Sequence, residues 1–115
     1  MLIEIERPIH VLFTKKGDKR QPLVHACQQI EDWQRWLGEH NSYAQTKLPG
    51  CESPEGLVVI GRARDLTETD ELRLQRANVA LRGQVRIMTY DGLLTEAKAV
   101  ADSIRRMEAP PQADS

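Results

Sequence analysis

Aromatic side chains are scarce in this chain: one Phe, two Tyr and two Trp make up 4 % of its 115 residues. A base-stacking platform is therefore not expected, because bases stack on aromatic faces. Charge of one sign is also lacking. Sixteen basic residues stand against 17 acidic ones, a formal net charge of −1, so no global field draws nucleic acid and any such binding must rest on a local patch. Cysteine is limited to Cys27 and Cys51, and neither has a Cys or His companion at metal-ligand spacing. Reduced thiols are the expectation. No apolar run approaches membrane-spanning length, and the chain does not open on a basic region followed by an apolar stretch. A soluble, cytoplasmic protein without membrane contact follows. Gly61-Arg62-Ala63-Arg64 lacks the glycines of a phosphate cradle, and no Ser-His-Asp order with an elbow motif occurs. His10, His25 and His40 are too far apart for a local metal motif.

What is present is an ordinary globular composition, 40 % hydrophobic and 29 % charged, enough for one core. Leu2-Ile3-Glu4-Ile5-Glu6-Arg7-Pro8 reads as a strand stopped by proline. Alternation puts Glu4 and Glu6 on one face, roughly 6–7 Å apart. Two carboxylates aimed the same way suit a hard divalent cation with oxygen ligands. The competing reading is a half-exposed edge strand with solvated glutamates. Ile9-His10-Val11-Leu12-Phe13 is a second β-prone run, followed by a basic loop containing Lys15, Lys16, Lys19 and Arg20. Pro22 opens a helix whose apolar stripe is Leu23, Ala26, Ile30, Trp33 and Leu37, with Trp36 partly exposed. Residues 41–56 read as a Pro/Gly loop.

Leu57-Val58-Val59-Ile60 is a continuous apolar run, as in a strand buried on both faces. Thr67 and Asp70 form a capping-box pattern that starts a helix with Leu74, Ala77 and Leu81 inward. Gly83 ends it, residues 85–90 form the next strand, and Asp91 is the expected N-cap of a last helix. That helix turns Leu93, Leu94, Ala97, Val100, Ala101 and Ile104 to the core. The order is β-β-α-β-α-β-α, a layered α/β domain over residues 1–108 with a mixed or parallel sheet, and 109–115 as a frayed tail. The first strand pairs either with the second as a hairpin or centrally with residues 57–60.

Four segments taken together carry a resemblance. Ile3-Glu4-Ile5-Glu6-Arg7-Pro8, Ala26-Cys27-Gln28-Gln29-Ile30-Glu31-Asp32-Trp33, Gly56-Leu57-Val58-Val59-Ile60-Gly61-Arg62 and Met88-Thr89-Tyr90-Asp91-Gly92-Leu93-Leu94 resemble, in order and over residues 2–105, the C-terminal domain of the Shedu family of bacterial anti-phage defence proteins. That domain belongs to the PD-(D/E)XK nuclease superfamily. The resemblance implies a restriction-endonuclease-like fold, here partial, and a DNA-directed phosphodiester hydrolase dependent on Mg2+ or Mn2+. Its acidic-x-lysine signature falls on Glu4, as metal ligand, and on Glu6, which stands where the lysine would be. The helical glutamine beside the metal falls on Gln29. The further acid that the superfamily places on a preceding strand has no counterpart here. The implied chain is weakly active or inactive by itself and needs missing strands from another copy or a partner subunit. The alternative on the same fold is a non-catalytic interaction or regulatory module. Lys15, Lys16, Lys19, Arg20 and Arg62 are the candidate contacts to DNA phosphates, giving weak binding without sequence preference. Arg62 serves equally well as an ion-pair partner.

Overall fold

A computed structural model describes residues 1–40 and 54–108. Strand β1 (Leu2–Ile5) is followed by helix α1 (Gln21–Glu39), strand β2 (Gly56–Val59), a 3-10 turn (Ala63–Asp65), helix α2 (Glu68–Ala80), strand β3 (Val85–Met88) and helix α3 (Tyr90–Glu108). The α/β layering is as expected. The sheet is wholly parallel, in the order β1-β2-β3, with Leu2 opposite Gly56 and Gly56 opposite Val85. A mixed sheet would need a hairpin, and none forms among the described residues. Each pair of successive strands is joined through a helix, which returns the chain to run the same way.

The expected second strand is the missing piece of that hairpin. Residues 9–13 make no ladder; Phe13 forms a single antiparallel bridge to Lys19. Pro8 lacks an N–H, and a turn closes behind it, with the His10 amide donating to the Arg7 carbonyl at 3.3 Å. Leu12 and Phe13 are instead used as core, 1 % and 5 % exposed. β2, not β1, is the central strand, and its run is buried as its unbroken apolar character requires. The ladder continues past it, since the Ile60 amide donates to the Met88 carbonyl at 3.0 Å.

One face of the sheet, carrying Val58, Ile60, Val85 and Ile87, closes against Leu23, Ala26, Cys27 and Ile30 of α1. Leu74, Ala77 and Leu81 pack on the same cluster as expected, and the Thr67–Asp70 capping box is complete. Trp33 departs from the expected stripe. It is 57 % exposed, because the inward line from Ile30 to Leu37 runs through Gln34. The Gln34 amide donates to the carbonyls of Pro54 and Gln84 at 3.0 and 2.9 Å. The last helix departs more widely, with Leu94, Val100 and Ile104 exposed. A helix of 19 residues is roughly 28 Å long, while four-residue strands span about 13 Å, so only its first turns can lie on the sheet. Its N-cap is Thr89, whose hydroxyl accepts from the Gly92 amide at 3.1 Å. Asp91 is engaged elsewhere. Cys27 is a buried free thiol, held above its ordinary value chiefly by burial. Cys51, most of the 41–56 loop and the 109–115 tail lie outside the described residues.

Candidate functional site

β1 alternates as its sequence requires. Ile3 and Ile5 are 55 % and 62 % exposed on one side, while Leu2, Glu4 and Glu6 are half-buried on the side that α1 covers. Gly56 sits beneath α1, where an added Cβ would collide with the Ile30 side chain. That close approach brings Gln29, the residue before Ile30, over Glu4. With the amide oriented by its surroundings, Gln29 Nε2 donates to both carboxylate oxygens of Glu4, at 2.8 and 3.0 Å. Glu6 lies against the same carboxylate. The Glu4 carboxyl is held above its ordinary value of 4.5, first by burial, then by the charge of Glu6 and by hydrogen bonding with it. The three residues singled out from the sequence are thus brought together.

A raised carboxyl fixes a sign. Glu4 takes up a proton more readily folded than unfolded, so the stability linked to its protonated form is complete below pH 4.5 and is lost as pH rises through the raised value. Glu4→Gln keeps an acceptor for Gln29 and removes the repulsion with Glu6. Thermal melts should show a small rise in Tm for this variant at neutral pH, vanishing below the ordinary value of 4.5.

The backbone of Glu6 is pinned from the other end of the fold: the Tyr90 hydroxyl donates to the Glu6 carbonyl. The Tyr90 amide in turn donates to the Gly61 carbonyl at 3.0 Å. Tyr90 was legible only as the end of a strand, because nothing in its spacing links it to a residue 84 positions away. Arg62 lies beside this junction, at the C-terminal end of β2, where ligands favour open α/β sheets. Of its two expected roles the structure displays the ion pair: Nε and Nη2 donate to the Asp91 carboxylate at 3.0 and 3.1 Å. Asp91 also accepts from the Ala63 amide at 2.7 Å. The Arg62 hydrogen bonds, then the Ala63 amide, lower the Asp91 carboxyl to about 2. Its contribution to stability is present above pH 3.8 and is lost as pH falls toward 2, opposite in sign to that of Glu4. Lys15, Lys16, Lys19 and Arg20 are exposed on and after a tight turn in which Gly17 adopts φ +96°. Arg20 Nε donates to the Phe13 carbonyl at 3.1 Å.

Glu4 and Glu6 supply hard oxygen donors of the kind that magnesium or manganese takes, an ion that keeps several waters when carboxylates are few. The donor chemistry fits such an ion, with Gln29 as a positioning residue, since its nitrogen faces Glu4. Among the described residues no group of three or more His, Cys, Asp or Glu converges.

The family profile described as Shedu protein SduA, C-terminal, matches residues 1–94. The chain belongs to the Shedu family. Its match spans β1, Gln29, β2 and the Tyr90–Asp91 junction, all the elements that assemble the site. No curated protein and no solved structure matches the chain. Among the described residues no helix is long and apolar enough to cross a membrane.

Proposed function

We propose that this Shedu domain, part of a defence-related protein, is a DNA-directed nuclease-fold domain whose phosphodiester site is built on Glu4, Glu6 and Gln29 and is incomplete on this chain. The observation that carries the reading is the convergence of Gln29 and Glu6 on the Glu4 carboxylate. Glu4 and Glu6 would hold a Mg2+ or Mn2+ ion. Such an ion, when bound, supplies Lewis-acid stabilisation of phosphate charge and lowers the pKa of a bound water. Gln29 fixes the rotamer of Glu4, and Tyr90 fixes the backbone of Glu6. Lys15, Lys16, Lys19, Arg20 and Arg62 contribute phosphate contacts.

Without a third acidic ligand among the described residues, the ion depends on water and substrate, which misplaces the attacking water. This favours a second reading as well, a non-catalytic module on the same fold. In both readings a strand from another segment, copy or subunit docks against the outer edge of β1, which has β2 as its sole neighbour among the described residues. Purified chain mixed with supercoiled plasmid and Mg2+ or Mn2+ should show little or no cleavage. Weak DNA retention should fall by about tenfold or more between 50 and 200 mM salt, as a few phosphate contacts require. Robust metal-dependent cleavage, abolished in Glu4→Ala, would show the site to be complete as it stands.

A further inference from the structure

Along the chain, the basic residues at 15–20 read as one exposed loop. Folded, they border two adjoining clefts. One, of about 390 Å³, lies between that loop and the start of α2, with Lys15, Arg20 and Arg73 on its walls and Thr67 and Thr69 beside them. The other, of about 590 Å³, is bordered by His10, Lys19 and again Arg20. Val11, Thr14 and Arg20 line both. Among the residues lining either cleft, Asp70 is the one carboxylate, and its charge is already answered. Its Oδ2 accepts from the Thr67 amide at 3.2 Å and its Oδ1 from Arg73 Nη1 at 2.9 Å. Four cationic side chains thus share two clefts with one internally paired acid, on a chain whose formal net charge is −1. Two of the cations are also held in place. Arg20 donates through Nε to the Phe13 carbonyl at 3.1 Å, a bond that engages neither Nη. Arg73 lies between Asp70 and the turn at Gly17, where an added Cβ would stand 2.7 Å from Arg73 Nε.

We propose that the two clefts are successive phosphate seats for one DNA strand, with Arg20 shared between them, and that Arg73, Thr67 and Thr69 belong to the contact surface. The inference deepens the DNA-directed reading above and rests on it for the choice of polyanion. Three features select a phosphate backbone. Guanidinium groups present a planar fork of donors that matches phosphate oxygens, and Arg20 and Arg73 supply two of them in fixed positions. Threonine hydroxyls donate to phosphate as well; the Thr67 hydroxyl oxygen accepts from the Asp70 amide at 3.0 Å, which leaves its proton for an outside acceptor. The clefts adjoin through Val11, Thr14 and Arg20, so they suit an anion that repeats along a chain better than one small ion. This is the local patch that a chain without a global positive field requires.

The test is fluorescence anisotropy of a short labelled DNA duplex with the whole chain, in EDTA and over a series of salt concentrations. Arg73→Gln should weaken binding and lower the slope of log affinity against log salt by about 1, the signature of one lost phosphate contact. Thr69→Glu sets a carboxylate at the rim of the first cleft and should weaken binding about tenfold at low salt. A carboxylate in the first turn of a helix is favoured by the helix dipole, so its Tm should be no lower than that of the parent. Weaker binding without lost stability cannot come from a folding defect. Lys98→Gln, on α3 and lining neither cleft, removes the same charge as Arg73→Gln and should change little. Parent-like binding by Thr69→Glu, or an equal loss in Lys98→Gln, overturns the seats. So does polyglutamate binding as tightly as DNA, which would assign the clefts to an acidic peptide. Cleavage plays no part in these readings. Loss of the seats leaves the Glu4 site as proposed, and a chain that binds through them yet never cleaves with added metal removes only the hydrolytic reading.

Discussion

Asn78→Ala should cost about 2–4 kcal/mol, from two buried backbone groups left without partners at once. Asn78 lies on α2 and serves as a surrogate neighbour for β3. Its Nδ2 donates to the Ile87 carbonyl at 3.0 Å and its Oδ1 accepts from the Ile87 amide at 2.7 Å. Ile87 is only 2 % exposed, so water cannot replace the lost bonds. β3 is an edge strand of the sheet, and this side chain satisfies at one residue what a fourth strand would satisfy along its length. Urea melts should show a lower midpoint with an unchanged slope, and Tm should fall on the order of 10 °C or more. Asn78→Asp should also destabilise, since a carboxylate keeps the acceptor but cannot donate to the Ile87 carbonyl. A variant as stable as the parent would show that the edge of β3 is covered by something other than Asn78.

Gly61→Ala should be comparably severe, for two additive reasons. Gly61 adopts φ +73°, and a Cβ there would stand 2.7 Å from the His10 carbonyl oxygen and 2.7 Å from Leu12 Cδ1. The left-handed backbone costs about 1–2 kcal/mol for an L side chain, and forcing apart the packed segment about 1–3 kcal/mol. The expected loss is about 2–5 kcal/mol by denaturant unfolding. Damage should also reach the candidate site, because Gly61 bonds Tyr90 and Tyr90 bonds Glu6. Gly38→Ala provides the opposite sign. No atom of the described residues lies within 4 Å of a Cβ at Gly38, and the position is inside α1. The substitution should stabilise by about 0.5–1 kcal/mol.

Asn78 illustrates what could not be read along the chain. An Asn in mid-helix carries no signal of its own; its role exists only because α2 passes beside β3. Trp33 failed in the other direction. At three residues past Ile30 it fits an inward stripe by period, but a period of 3.6 leaves a shoulder position free to fall on either side. The tilt of α1 over the sheet gave the inward place to Gln34. The apolar residues of α3 were misread for a related reason: periodicity reports that a face is apolar, and not whether the sheet is long enough to cover it. Asp91 satisfies every local rule for an N-cap, yet its carboxylate serves Arg62 and Ala63, while Thr89 caps the helix.

The chain by itself determined what depends on near neighbours. The alternation that sets Glu4 and Glu6 on one face, the unbroken run that makes β2 the buried strand and the Thr67–Asp70 capping box are local patterns with local causes. So is the ordered set of four segments that marks the Shedu family. The tertiary structure alone decided the direction of the strands and the replacement of a hairpin by parallel crossovers. It also decided the tie from Tyr90 to Glu6 and the opening of Trp33 to solvent. Those features join residues tens of positions apart. They arise from how helices of fixed length cross a four-residue sheet, a geometry that no periodicity along the sequence encodes.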